Sequence, residues 1–91
     1  MDKRQKLEAI EKVLRELDDV KNSKTSLLKK IAQLEAENIN LNINVLDENL
    51  GDLHEHTDTQ LTHIGELTEK LQDYKDDYIK KNKLDLVEEV E

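Results

Sequence analysis

Three histidines near the middle of the chain, set among acids, are the side chains whose types and spacing could do chemistry. They are His54, His56 and His63, with Asp52, Glu55 and Asp58 as neighbours. Because Asp52 and His56 are four residues apart, a helix would place both on one face, as in a zinc site. No two histidines share that spacing, and the chain has no cysteine. We therefore interpret the group as solvated polar residues near a helix start and expect no metal and no cofactor; zinc binding and a pH-sensitive elbow are the alternatives.

Nucleophilic catalysis has no support in the sequence. The only serines are Ser23 and Ser26, which lie far along the chain from every histidine. A thin structure of two helices also has no cavity that excludes water, and such cavities are where catalytic pKa values arise. We therefore predict that the protein is not an enzyme and takes no small-molecule substrate.

A heptad repeat of apolar residues from Ile10 to Val45 predicts one long helix in the first half of the chain. Its a positions are Ile10, Leu17, Lys24, Ile31, Asn38 and Val45, and its d positions are Val13, Val20, Leu27, Leu34 and Leu41. These a and d residues form a stripe along the helix, which we call the seam, as do those of the second repeat below. The pattern is typical of a leucine-zipper-like coiled coil. A single asparagine at position a, here Asn38, typically sets the register of such a pair.

A second heptad repeat follows in a different phase. Its a positions are Leu50, Thr57, Ile64, Leu71 and Tyr78, and its d positions are Leu46, Leu53, Gln60, Leu67 and Tyr74. The step from Val45 to Leu50 is five residues instead of seven, so the apolar stripe changes sides at about 100° per residue. Gly51 is typical of the residue after a helix end, and Asp52 of a helix N-cap. We predict a first helix over 1–48, a turn over 49–52 and a second, acidic helix over 53–91.

Pairing the two repeats favours a hairpin over a rod. A turn centred near Asn49 would place Asn38 opposite Gln60, so that the polar seam residues meet and set the register. The same alignment would lay Lys24 along the ring of Tyr74. The predicted fold is all-α, a coiled-coil helical hairpin of two long antiparallel helices that also oligomerises.

The charges beside the seams favour a different pairing. In a parallel pair of first helices, Glu16 would meet Lys21 and Lys30 would meet Glu35, which attract. The predicted hairpin would instead bring together two repelling pairs, Lys30 with Lys70 and Lys21 with Lys75. Exposed pairs contribute about 0.2–1 kcal/mol, less than the roughly 1.5–3 kcal/mol of each buried seam side chain. One continuous parallel coiled-coil rod is therefore kept as the alternative fold.

Two segments allow further alternatives. Residues 38–45 alternate asparagine with apolar residues and could form a strand, but no second alternating segment exists to pair with it. If the segment is helical, Ile39, Ile43 and Leu46 form an outer apolar patch suited to docking. Residues 22–26 have low helix preference, so a three-helix bundle is a second alternative.

Composition agrees with a chain that works through helix pairing. Of its 91 residues 40% are charged, none is proline, phenylalanine or tryptophan, and the net charge is −8. Ten acids oppose nine bases through Gly51, so the remaining −7 of the −8 follows it. Such an acidic surface disfavours nucleic acid and anionic membranes. A chain this small commonly needs oligomerisation for stability.

These observations predict a non-enzymatic coiled-coil structural or interaction protein. We expect an oligomerisation or docking subunit of a larger multiprotein or viral assembly, whose partner is itself or another protein. A small acidic regulator that sequesters a basic or nucleic-acid-binding partner is the alternative. The sequence contains neither the apolar run of a signal peptide nor a membrane span, so we expect it in the cytoplasm or within a macromolecular particle.

Overall fold

The computed structural model of the protein describes residues 1–84 as two long helices packed side by side in opposite directions. Helix α1 spans Lys3–Leu41 and helix α2 spans Asn44–Lys81. The molecule is elongated, 66 × 20 × 17 Å. The predicted all-helical hairpin is therefore confirmed, and the described residues contain no strand. The predicted continuation of the second helix over residues 85–91 lies outside the described part of the chain.

Capping interactions define the open end of the hairpin. The side chain of Asp2 accepts a hydrogen bond from the Gln5 backbone N–H (2.8 Å), and the Gln5 side chain accepts one from the Asp2 backbone N–H (3.0 Å). This reciprocal pair satisfies two backbone donors that a helix start would otherwise leave unpaired, so α1 begins at Lys3. At the same end, the Arg4 guanidinium donates to the Leu84 carbonyl (3.4 Å), which ties α1 to the segment after α2.

The turn between the helices consists of Asn42 and Ile43. Asn42 adopts the left-handed conformation (φ 53°, ψ 48°), and its backbone N–H donates to the Asn38 carbonyl (2.7 Å). Apart from glycine, asparagine is one of the few residues that enters this conformation routinely. Ile43 is extended (φ −93°, ψ 119°) and precedes the first residue of α2. The chain therefore reverses at the asparagine-rich segment that resembles a strand in sequence.

The predicted turn over 49–52 is wrong, and with it the predicted helix boundaries at 48 and 53. Gly51 and Asp52 lie inside α2, and no glycine in the described residues has a positive φ. Asn42 supplies the left-handed residue for which Gly51 seemed suited. The change of heptad phase is real, but it reflects a new helix that begins at Asn44.

The two helices pack through the a and e positions of their heptads, not through a and d. With exceptions such as the exposed Lys21, the e positions, four residues after a, are half-buried or buried: Leu7, Leu14, Leu28 and Glu35 in α1, and His54, Leu61, Thr68 and Lys75 in α2. The a residue Ile31 is the most enclosed apolar side chain, with 1% of its surface exposed. Most d positions are exposed on one side of this contact.

The register of the hairpin differs from the predicted one by two heptads. Lys24 donates a hydrogen bond through its Nζ to Oε1 of Gln60 (2.8 Å), whereas the prediction placed Asn38 opposite Gln60 and Lys24 opposite Tyr74. Because the turn lies about one heptad earlier than predicted, each helix keeps its heptad phase but meets a different stretch of the other. The predicted repulsion between Lys21 and Lys75 is absent, since Lys75 pairs with Glu11, as described below.

Candidate interaction surface

One side of the hairpin is closed by polar contacts between the helices. Nδ1 of His54 lies 2.6 Å from Oε1 of Glu35, and Nζ of Lys75 lies 3.4 Å from Oε2 of Glu11. Three of these four residues occupy e positions. Polar side chains thus cover the groove between the helices on this side, which we call the closed side.

The opposite side carries the d positions of both helices. Lys6 and Tyr74, both at d, meet there: Nζ of Lys6 lies 5.6 Å from the centre of the Tyr74 ring and 5.2 Å from that of Tyr78. The two rings are stacked with centroids 6.2 Å apart. The hydrogen bond with Tyr74 and the electrostatic attraction to it raise the pKa of the Lys6 ammonium. In an antiparallel pair that shares its a and e positions, both d stripes must lie on the same side.

The side chains on that side form an exposed apolar surface, which we call the open face. Its seven members are each between 43% and 48% exposed: Val13, Val20, Leu27 and Leu34 from α1, and Leu53, Leu67 and Tyr74 from α2. Each helix of a hairpin has only one neighbour, so a contact through a and e leaves d without one. Exposed apolar surface of this kind on a small protein is typical of interaction sites.

The middle of the open face is polar. Lys24 and Gln60, joined by their hydrogen bond, line a shallow groove together with His63, Ile64 and Leu67. The exposed apolar side chains lie on both sides of this pair along the helices. A partner that covers the face must therefore accommodate one polar layer between apolar layers.

Asn38 performs a different task from the predicted one. Its side chain is buried at the turn, where Nδ2 donates to the Ile43 carbonyl (3.3 Å) and to Oδ1 of Asp47 (2.7 Å), and Oδ1 accepts from the Ile43 backbone N–H (3.0 Å). The proposed pairing with Gln60 is therefore wrong. Asn38 instead satisfies the backbone of the turn and connects it to the first turn of α2.

The turn end of the hairpin carries a second apolar group, which we call the apolar tip. Its exposed members are Ile39, Leu41, Ile43 and Val45, of which Ile39 is 79% exposed. Leu41 and Val45 were predicted as seam residues, and Ile39 and Ile43 as an outer patch. Leu46, the third predicted member of that patch, is half-buried and lines a groove with Asn38 and Leu50.

The remaining predicted seam residues divide between the helix contact and the open face. Seven are buried or half-buried: Ile10, Leu17, Ile31, Asn38, Ile64, Leu71 and Tyr78. The e residues of the contact, such as Leu7, Leu14 and Leu28, were missed in the sequence analysis. Their own seven- and fourteen-residue spacing was the signal that could have revealed them.

The histidines do not converge on one site. His54 contacts Glu35, while His56 and His63 are exposed. Within residues 1–84, no group of three histidine or acidic side chains is placed to hold a metal ion.

Comparison of the chain with protein-family models, with curated proteins and with solved structures gives no match. Over the residues that the structure describes, neither helix is long and apolar enough to cross a membrane.

Proposed function

We propose that the protein is a non-enzymatic interaction module, an oligomerisation or docking subunit of a larger assembly that acts by coiled-coil-type helix packing. One observation carries the proposal: seven apolar side chains at d positions, interrupted by Gln60 on α2, are about half exposed on the same side of the hairpin. Fully burying a side chain of this size contributes roughly 1.5–3 kcal/mol, so a partner that covers the open face gains considerable free energy.

The contrast between the two sides of the hairpin supports this role. The polar contact of Glu35 with His54 and the ion pair of Glu11 with Lys75 cover the closed side, and their polar atoms already have partners. The open face has one polar pair, Lys24 with Gln60, among apolar side chains. Binding through the open face would leave the closed side in solvent, where its charges keep the protein soluble.

A second candidate, an acidic regulator of a basic protein, is favoured by the charges on the outer surface of α2. Asp52, Asp58, Asp73 and Asp76 are exposed and lie away from the open face. In that role the acids of α2, and not the apolar side chains, would recognise the partner.

Affinity capture from cells that carry the protein naturally separates the two functions. A tagged chain, expressed with an untagged copy, should recover a protein in fixed stoichiometry, either the untagged copy or another protein. The double variant Leu27→Glu, Leu67→Glu should lose it, because charges would then replace apolar contacts on the open face. Ile39→Glu, an equally drastic change at the apolar tip, is the matched control and should retain it.

The regulator hypothesis predicts the converse. A basic protein would be recovered with the open-face variant and lost with Asp73→Asn, Asp76→Asn, which removes two exposed charges from α2. A capture that is equal for wild type and all these variants would contradict both functions.

A further inference from the structure

We propose that the open face binds a second copy of this chain, so that two hairpins pack face to face as an antiparallel four-helix bundle. The inference rests on the proposed function, since it names the partner of the same surface. Three features of the hairpin select a second copy over other partners: its small core, the size of the face, and the distribution of charge around it.

The core of a single hairpin is small. Over residues 1–84, five apolar side chains are buried: Leu7, Ile10, Ile31, Leu50 and Leu84. A chain of this size without disulfides rarely reaches useful stability from such a core and depends on oligomerisation. In a four-helix bundle each helix has two neighbours. The a and e residues would keep their present contacts while the d residues become the shared core.

The broad side of the hairpin, which carries the open face, is large enough for a stable interface. The broad side of a molecule measuring 66 × 20 × 17 Å has an outline of about 1,300 Å², and a stable specific interface needs about 800 Å² per partner. The open face runs along about half of this length, roughly 32 Å on each helix at 1.5 Å per residue, from Val13 to Leu34 on α1 and from Leu53 to Tyr74 on α2. A single peptide helix would cover half of its width, whereas a second hairpin covers both stripes.

The charges around the face suit a copy of the chain better than a basic partner. No acid occupies an a or d position in either described helix, although the chain as a whole carries −8. Positions beside the d stripes, at g, carry both signs, including Glu16 and Lys30 on α1 and Lys70 on α2. A two-fold contact places a surface against itself and therefore requires both signs along its rim. Glu16 on the rim of one copy can therefore meet a lysine on the rim of the other copy.

The polar pair in the middle of the face is also consistent with self-association. Lys24 and Gln60 lie close to the middle of both apolar stripes, between Val20 and Leu27 on α1 and between Leu53 and Leu67 on α2. Two faces related by a two-fold axis through this level bring polar layer onto polar layer. A displacement by one heptad would press the lysine against apolar side chains, so the pair would set the alignment of the copies.

Sedimentation equilibrium of the purified full chain tests the proposal. At about 100 μM, where an association of micromolar Kd is nearly complete, we expect the mass of two chains of 10.6 kDa. The variant Leu27→Glu, Leu67→Glu should weaken the association by at least about 100-fold, because each replaced leucine contributes on the order of tenfold or more. Ile39→Glu should sediment as wild type does.

Two further measurements keep the result decisive if the charged variant loses its fold. Leu27→Ala, Leu67→Ala is a milder change, and its association should weaken while circular dichroism still shows the helices. The midpoint of thermal unfolding of the wild type should rise with chain concentration, as it does for any associating protein. A mass of one chain for the wild type, or a dimer that all open-face variants preserve, would overturn the proposal.

The outcome is separable from that of the proposed function. A monomeric wild type whose capture of another protein depends on Leu27 and Leu67 would reject the second copy and leave the docking role standing. A dimer that survives both open-face variants would reject the open face itself as the site of association.

Discussion

Lys24 on α1 and Gln60 on α2 are joined by a hydrogen bond of 2.8 Å that forms the only polar layer among the exposed d-side residues between Val13 and Leu34. The pair shows which heptads of the two helices lie side by side. Asn38 was predicted to stand opposite Gln60, so the structure retains one partner and replaces the other.

Replacing both residues by leucine should stabilise the protein and reduce its uniformity. The variant Lys24→Leu, Gln60→Leu removes a polar layer, and we expect the free energy of unfolding to rise by about 1–2 kcal/mol. Without the layer, alternative alignments become comparable in energy, so sedimentation velocity should resolve more than one species. A destabilised variant with a single sharp species would show that the pair contributes stability instead of specificity.

Asn38 is expected to be a stabilising residue. In Asn38→Ala, the Ile43 backbone groups and the Asp47 carboxylate lose their partner at a buried position, which should cost about 1–3 kcal/mol in chemical denaturation. This is the opposite sign to that of a polar seam residue that only sets register. Asn40→Ala, an exposed neighbour on α1, is the control and should change stability by less than about 0.5 kcal/mol. Equal effects at both positions would contradict the network.

Gly51→Ala should stabilise the hairpin by about 0.8–1 kcal/mol, because alanine is the better helix former and Gly51 lies inside α2. A Cβ atom there would meet no atom within 4 Å. If Gly51 were in the turn, the same change would cost about 1 kcal/mol. Gly65→Ala offers an equivalent site in the same helix, also without a neighbour for the new Cβ, and should behave in the same way. A thermal melt of each variant at fixed concentration decides the sign.

A distance between labels at exposed sites tests the hairpin directly. Spin labels at Gln5 and Lys80, near the open end, should lie within about 20 Å, since Tyr78 donates a hydrogen bond to the Lys3 carbonyl (3.0 Å). In a continuous helix the same sites would be on the order of 110 Å apart at 1.5 Å per residue. Labelled chains diluted into an excess of unlabelled chains report the distance within one molecule. The long distance would reject the hairpin in favour of the rod.

The two helices and the apolar stripes along them were determined by the sequence itself. The two heptad repeats predict two long helices and a change of phase between them, because an apolar stripe of this period is stable only in helices that pack against a neighbour. The same pattern explains why α1 is not divided into two helices, since the segment at residues 22–26 continues the first repeat in phase and remains inside α1.

The position of the turn and the pairing of side chains were decided only by the tertiary structure. A heptad pattern repeats itself, so hairpins that differ by one heptad in their turn place equivalent apolar positions together, and local signals must choose between them. Gly51 was the stronger signal in sequence, but Asn42 can adopt the same left-handed conformation, and Asn38 adds three hydrogen bonds that hold the turn there. Which two of the positions a, d and e face the other helix is likewise undetermined by periodicity, because each of the three carries at least three apolar residues in α1. The packing of α1 on α2 settled it, and thereby left the d residues as the open face.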